Sequence, residues 1–181
     1  MTSQSKKSIL LVLPLFGLLV SQCGLLDQDV NGNLSTYISI NETKAETNIP
    51  YSTMNFIDAS SDGDIADNLD KISDWSVTEI SYMVWGFYGD PSTSISGTLG
   101  FSRLTENSPS ITTNVSSVML STISNDEINH KVSLTENQLN TIADYFKKDQ
   151  AIKIYVDGVL SQGPVYFELE VFAKVKVKAK I

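Results

Sequence analysis

Residues 165–181 have the sequence VYFELEVFAKVKVKAKI, in which an apolar residue occupies every odd position. The even positions from Glu168 carry two glutamates and one phenylalanine, followed by four lysines: Lys174, Lys176, Lys178 and Lys180. Successive side chains of a β-strand point to opposite faces, so this period of two predicts a strand with one dry face. One straight strand would be about 55 Å long, which exceeds the usual length, and we therefore expect a bend near residues 172–173.

The lysine positions of this segment predict a solvated face of an edge strand, where lysines prevent pairing with another molecule. A membrane-binding or polyanion-binding surface is the alternative. Glu168 and Glu170 lie on the same predicted face, and this mixture of charges favours the edge strand.

Shorter segments rich in β-branched and aromatic residues precede this one and predict further strands at 34–40, 49–57, 75–88, 93–103, 111–124, 128–134 and 151–160. Segments 75–88 and 93–103 are separated by Gly89-Asp90-Pro91, and we expect them to form a hairpin. Asp157-Gly158 predicts a bulge or a tight turn inside the last of these strands.

Two segments have the spacing of helices. Thr135-Glu-Asn-Gln138 is a capping box, and it precedes apolar residues with helical spacing over 139–146. Ile65, Leu69 and Ile72 also share one helical face, with Asp62 or Asp64 as the predicted cap.

About eight strands with one or two short helices in the connections predict a mainly β protein. We expect residues 34–181 to form a two-layer antiparallel β-sandwich, immunoglobulin-like in architecture. The cysteine–tryptophan–cysteine pattern of immunoglobulin domains is missing from the sequence, so the expected likeness concerns architecture alone.

The N-terminal residues have the pattern of a secretory signal. Lys6 and Lys7 precede a run without charge over residues 9–20, and Cys23, the one cysteine of the chain, follows it. The run is shorter than the roughly 20 residues that a membrane-spanning helix needs. Residues 1–22 are therefore predicted to be a signal peptide, and the protein is expected to be exported.

Leu19, Val20, Ser21 and Cys23 resemble the lipobox of bacterial lipoproteins, although Gln22 stands where that family usually has Gly, Ala or Ser. The resemblance implies that Cys23 is lipidated and that the protein is anchored in a membrane of the bacterial envelope, expected to be the outer membrane. Residues 23–33 would then be a lipidated tether. The remainder resembles small β-rich lipoproteins of Bacteroidetes-type bacteria. Because a single cysteine cannot form an internal disulfide, lipidation also accounts for the thiol.

Charge and composition exclude several functions. The chain carries 13 basic and 21 acidic residues, and removal of residues 1–22 takes away two lysines and moves the net charge from −8 to −10. A protein with this net negative charge is expected to bind nucleic acid poorly. The chain has one histidine, His130, whereas a zinc site needs several histidine or cysteine ligands. We therefore expect neither a zinc site nor another cofactor. We predict a structural role for His130 on its strand.

Two groups of residues are candidates for a functional site. Asp58, Asp62, Asp64 and Asp67 surround Gly63 and are weak candidates for calcium, and with Asp70 they are candidates for the carboxylate pair of a glycan hydrolase. A solvated loop that caps a helix is the alternative. Trp85, Phe87 and Tyr88 are candidate ligand-binding residues if they are exposed, and core residues if the helix over 139–146 covers them.

No catalytic motif accompanies these candidates, and we therefore expect no enzymatic activity. The sequence predicts a lipid-anchored cell-envelope protein that binds or scaffolds another envelope protein or a glycan. Its alternatives are a carbohydrate-binding module that uses exposed aromatic residues, and a glycan hydrolase that uses the acidic loop.

Overall fold

The computed structural model describes residues 27–180, so Cys23 and the predicted signal peptide lie outside the described residues. The strands are β1 (Asp27–Glu42), β2 (Thr47–Asp58), β3 (Ile72–Gly89), β4 (Ser94–Ser102), β5 (Ile111–Met119), β6 (His130–Lys131), β7 (Ala151–Gln162) and β8 (Val165–Lys180). The helices are α1 (Gly63–Ala66), α2 (Leu120–Ile123) and α3 (Glu136–Asp149), with 3₁₀ turns at Ala59–Ser61 and Leu69–Lys71.

The strands form two antiparallel sheets of four strands each. The first sheet has the order β1-β8-β3-β6, and the second has the order β2-β7-β4-β5. Apolar side chains from the inner faces of both sheets pack into one core, which includes Leu34, Ile80, Phe101, Ile154 and Phe167. The predicted two-layer antiparallel sandwich is confirmed.

The strand order is that of a jelly roll and not that of an immunoglobulin domain. The first strand pairs with the last, and the pairing continues inward as β2 with β7, β3 with β6, and β4 with β5. This is one long antiparallel ribbon, and the β3–β8 and β4–β7 pairs wrap it into two sheets. Among all the pairs, β4 and β5 alone are consecutive in the described chain, whereas immunoglobulin sheets join several consecutive strands.

The predicted hairpin of segments 75–88 and 93–103 is wrong. Strand β3 belongs to the first sheet and β4 to the second, so the turn at Asp90 carries the chain between layers. Asp90 organises this turn, because its Oδ1 accepts a hydrogen bond from the Ser92 amide at 2.8 Å. The turn signal in the sequence was correct, but a turn does not determine whether its two strands pair.

Strand β8 lies inside the first sheet, between β1 and β3, so the predicted edge strand is also wrong. Its odd residues from Val165 to Ala179 are all buried, which confirms the dry face. Its pairing with β1 continues in register through residues 172–173, where we had predicted a bend. The register shifts lie instead on the side of β3.

The lysines of β8 are exposed on the outer face of the first sheet and lie beside acidic residues of β1 and β3. Lys176 Nζ is 2.7 Å from Asp29 Oδ2, and Lys174 Nζ is 3.9 Å from Glu79 Oε1. Asp27 lies opposite Lys180 in the register. Such exposed pairs stabilise the fold only weakly, but they place acidic side chains of β1 opposite basic side chains of β8.

The predicted tether over 23–33 is too long, because β1 begins at Asp27 and pairs with β8 from that residue. The Asn31-Gly32-Asn33 segment is extended here and forms no turn. Position 32 of this strand is a glycine because Ile65 of α1 packs directly against it, and an added Cβ would lie only 2.6 Å from Ile65 Cγ1. The Asn33 amide also donates to Asp62 Oδ2 at 2.9 Å.

The capping box at Thr135 is confirmed as the start of α3. The Gln138 amide donates to Thr135 Oγ1 at 3.3 Å, and the Thr135 amide donates to Gln138 Oε1 at 2.9 Å. Phe146 is buried near the end of the helix and stacks on Trp75, with ring centroids 5.5 Å apart. Helix α3 therefore covers the part of β3 around Trp75, which precedes Trp85 by ten residues.

Three smaller predictions also change. The predicted helix over 65–72 is one turn of α1 followed by a 3₁₀ turn, although Asp62 is its cap. The strand predicted over 128–134 reduces to His130–Lys131. Asp157-Gly158 lies within the continuous strand β7, where Gly158 faces Gly97 of β4. This close approach of two backbones explains the glycine without a turn.

Candidate ligand-binding face

The outer face of the first sheet carries a cluster of aromatic and acidic side chains at the end opposite the lysines. In the register, Glu170 lies between Tyr37 of β1 and Met83 of β3, and Glu168 lies between Ser39 and Trp85. Directly opposed residues of neighbouring strands share a face. We name this surface the aromatic–carboxylate face, and it consists of Tyr37, Ser39, Met83, Trp85, Tyr88, Tyr166, Glu168 and Glu170.

A bulge in β3 places Trp85 and Tyr88 on the same face. Trp85 pairs with Glu168 and Tyr88 pairs with Tyr166, so three steps along β3 match two steps along β8. The extra residue is accommodated at Gly86, whose φ of 59° lies in the left-handed region that glycine adopts without strain. In a regular strand, residues three apart would point to opposite faces.

Three aromatic rings of this face are accessible to solvent. The exposed fractions are 78% for Tyr88, 54% for Tyr37 and 36% for Trp85. Phe87 is partly buried and packs against the core. Of the three residues that the sequence indicated, Trp85 and Tyr88 therefore belong to the outer surface, and Phe87 does not.

Glu170 is the buried acidic group of the face, with 6% of its surface exposed. The Trp85 indole Nε1 donates a hydrogen bond to Glu170 Oε2 at 2.9 Å. A hydrogen bond to the same carboxylate, together with burial and the negative charge, raises the pKa of the Tyr37 phenol. Because a buried carboxylate requires donors, the Trp85 indole N–H and Glu170 hold each other in place.

Glu168 occupies the next outward position of β8 and is half-buried. The Tyr166 hydroxyl donates to Glu168 Oε1 at 3.0 Å, and this bond, with burial and the charge of Glu168, raises the pKa of Tyr166. Within residues 27–180, no donor reaches the second oxygen, Oε2 of Glu168. That oxygen is therefore available to accept a hydrogen bond from a ligand.

The acidic loop does not assemble the site that its sequence suggested. Asp62 Oδ1 accepts from the Asp64 and Ile65 amides at 3.0 and 3.2 Å, and its Oδ2 accepts from β1. Asp58 Oδ1 accepts from the Ser60 amide at 2.7 Å. These carboxylates hold the local backbone. In the described part of the chain, no three acidic or histidine side chains are placed to hold a metal ion, so the calcium set Asp58, Asp62, Asp64 and Asp67 does not come together.

His130 is half-buried on the short edge strand β6. Its ring stacks on Tyr82, with centroids 5.4 Å apart, and its Nε2 is 3.0 Å from Asp126 Oδ2. These contacts tie the ring to Tyr82 and Asp126, and the structural role of His130 stays a prediction.

The sequence indicated part of this face and missed the rest. The aromatic cluster in the sequence points to Trp85 and Tyr88, whereas the residues that it does not indicate are Tyr37, Tyr166, Glu168 and Glu170. The available signal was the outward position of both glutamates in the alternation of β8. Their meeting with Tyr37 depends on the β1–β8 register, which the local sequence does not specify.

No family model matches the chain, and no curated protein matches it. Among solved structures, the chain is similar to one of Desmodium yellow mottle tymovirus, with a TM-score of 0.43 and 11% sequence identity. The similarity covers 100% of this chain and 96% of the other. A similarity at this level carries no argument about function. Over residues 27–180, no helix combines the length and the apolar character needed to cross a bilayer.

Proposed function

We propose that the protein is a lipid-anchored, non-enzymatic component of the bacterial envelope that binds a glycan through the aromatic–carboxylate face. The observation that carries the proposal is the placement of three accessible aromatic rings around two carboxylates on one sheet face. Sugar rings present C–H faces that stack on aromatic rings and hydroxyl groups that donate to carboxylates.

The fixed orientation of the Trp85 ring supports binding over a purely structural role. Trp85 is tied to Glu170 by its indole N–H, so its exposed ring loses little freedom when a ligand stacks on it. If Trp85 served only to pack against the protein, it would not need a buried carboxylate on the outer side of the sheet to orient its ring. The outer surface here is therefore organised in advance for contact.

The position of the face along β1 is compatible with the proposed anchor at Cys23. Strand β1 begins four residues after Cys23, and Tyr37 lies ten residues further along it. At about 3.3 Å per residue, ten residues of strand span roughly 33 Å. An anchored protein of this shape can hold the aromatic–carboxylate face well away from the lipid surface.

The hydrolase alternative receives no support from the acidic loop, because Asp58 and Asp62 are engaged with backbone amides. Glycoside hydrolysis needs two carboxyl groups that flank the scissile bond. In the aromatic–carboxylate face, Glu170 is buried behind Trp85, so it contacts the ring that holds the ligand and not the ligand's linkage.

Glycan binding is tested by calorimetric titration of the full-length protein in detergent with neutral oligosaccharides of glucose, mannose and N-acetylglucosamine. Trp85→Ala and Tyr88→Ala should each weaken binding about five- to tenfold, since one aromatic contact contributes about 1 kcal/mol. Phe56→Ala is the matched control, because Phe56 is 43% exposed on the second sheet. Unchanged affinity in both face variants, or an equal loss in the control, would refute the proposed binding face.

Anchoring is tested separately with Cys23→Ser. This variant should incorporate no fatty acid and should leave the membrane fraction, because Cys23 is the one thiol of the chain. Radiolabelled palmitate that still enters the serine variant would contradict the proposed anchor.

A further inference from the structure

We infer that the aromatic–carboxylate face selects sugars that carry a protonated amine, and this inference rests on the proposed glycan binding. Segments 35–41 of β1, 81–88 of β3 and 166–172 of β8 contain two charged residues, Glu168 and Glu170, and no basic residue. Within these three segments the face therefore carries two negative charges and no positive charge. Glu42, at the end of β1, and the nearby loop residues Lys44, Glu46 and Asp90 add a further net negative charge.

The absence of basic partners is specific to this half of the sheet. At the other end of β8, the lysines lie beside acidic residues, as in the pair of Lys176 and Asp29 at 2.7 Å. In contrast, neither Glu168 nor Glu170 forms an ion pair with any of residues 27–180. Buried acidic groups are usually paired with a base, and Glu170 is 6% exposed with only neutral donors around it.

Both components of the face attract the same kind of ligand. The π face of an aromatic ring attracts a cation placed within about 6 Å of it. A carboxylate accepts a charge-assisted hydrogen bond from an ammonium group, which is about twice as strong as a neutral one. Trp85 lies directly across from Glu168 in the register, so a sugar that stacks on the indole lies next to Glu168, whose Oε2 accepts no hydrogen bond from residues 27–180.

A neutral sugar can stack on the same rings, but it gains no charge interaction. An anionic sugar would meet like charges, which disfavour binding. The inferred ligand class is therefore an amino sugar with a free amine, such as a glucosamine unit, as distinct from its N-acetylated form.

The test compares two ligands that differ only in charge: the β-1,4-linked hexamers of glucosamine and of N-acetylglucosamine. Both are titrated into the full-length protein in uncharged detergent at pH 6 and low ionic strength. The glucosamine hexamer should bind about tenfold more tightly, which corresponds to one cation–π contact or charged hydrogen bond. Added salt should reduce this preference.

Glu168→Gln should reduce the preference for the glucosamine hexamer over the N-acetylated hexamer from about tenfold to about twofold or less, because glutamine keeps the shape of the side chain but removes its charge. Glu136→Gln is the matched control, since Glu136 is an exposed acid at the start of α3. An equal loss in both variants would show that the acidic body attracts the ligand nonspecifically, and it would overturn the inference. Melting temperatures of the two variants verify that both are folded.

The remaining outcomes separate the inference from the proposed function. Equal affinity for the two hexamers, with a loss in Trp85→Ala, would overturn the preference for an amine and retain glycan binding. Binding of neither hexamer nor of any neutral oligosaccharide would overturn both.

Discussion

Replacement of Val175 by aspartate tests the central position of β8. Val175 is 1% exposed, and the register places it between Gly32 of β1 and Val77 of β3. Losing the buried valine costs about 2 kcal/mol. Burying a carboxyl group without a partner costs about 2–3 kcal/mol more, even when the group takes up a proton. The total of about 4–5 kcal/mol is a large part of the 5–15 kcal/mol that stabilises a typical domain.

The matched control is the neighbouring residue on the other face. Lys176→Gln removes an exposed ion pair with Asp29, which contributes at most about 1 kcal/mol. Thermal unfolding followed by circular dichroism should show Val175→Asp melting about 8–20 °C below the wild type, given roughly 2–4 °C per kcal/mol for a chain of this size. If the two variants melt at the same temperature, β8 is not a packed central strand and the assigned sheet order fails.

Three further predictions follow from individual contacts. Gly158→Ala should lower the urea midpoint strongly, because an added Cβ would lie 2.1 Å from a backbone oxygen of β4. Gly63→Ala is its control and should leave the urea midpoint unchanged, because a Cβ added there has no atom within 4 Å. The Arg103 guanidinium lowers the pKa of Asp149 in the folded protein. The ionised carboxylate therefore stabilises the fold at pH values above its unfolded pKa of about 3.9. This stabilisation is lost as the pH falls through the lower pKa of the folded state. Asp149→Asn should therefore flatten the decline of the urea midpoint below about pH 4, and an unchanged profile would contradict the assignment. His130→Ala should lower the melting temperature and leave glycan affinity unaltered; a large loss of affinity would give His130 a role that its contact with Asp126 does not indicate.

Local patterns predicted the elements whose information is local. The alternation of residues 165–181 predicted the buried face of β8, and the capping box predicted the first turn of α3. Both depend on neighbours within a few positions of the chain. The sheet order depends on pairs such as Asp27 with Lys180, which are separated by almost the whole described chain. No local pattern specifies such a pair, and the hairpin and the edge strand were wrong for this reason.

The same distinction explains what was missed at the candidate site. Trp85 and Tyr88 belong to one aromatic cluster, so the sequence indicated them together. Their common orientation depends on the bulge at Gly86, and without it one of the two rings would face the core. Tyr37 joins them through pairing with Glu170, across more than a hundred residues of sequence.

The charges on the outer face of β8 give the two ends of one strand different roles. At the lysine end, Lys176 lies 2.7 Å from Asp29 and Lys174 lies 3.9 Å from Glu79, so these two lysines form ion pairs within the protein. At the other end, Glu170 is buried with an indole as its donor, and no basic side chain of residues 27–180 pairs with it. A sheet that needed only to be stable would gain by balancing this charge or replacing it with an apolar residue. The unbalanced carboxylates are therefore best understood as positions where a ligand supplies the missing positive charge.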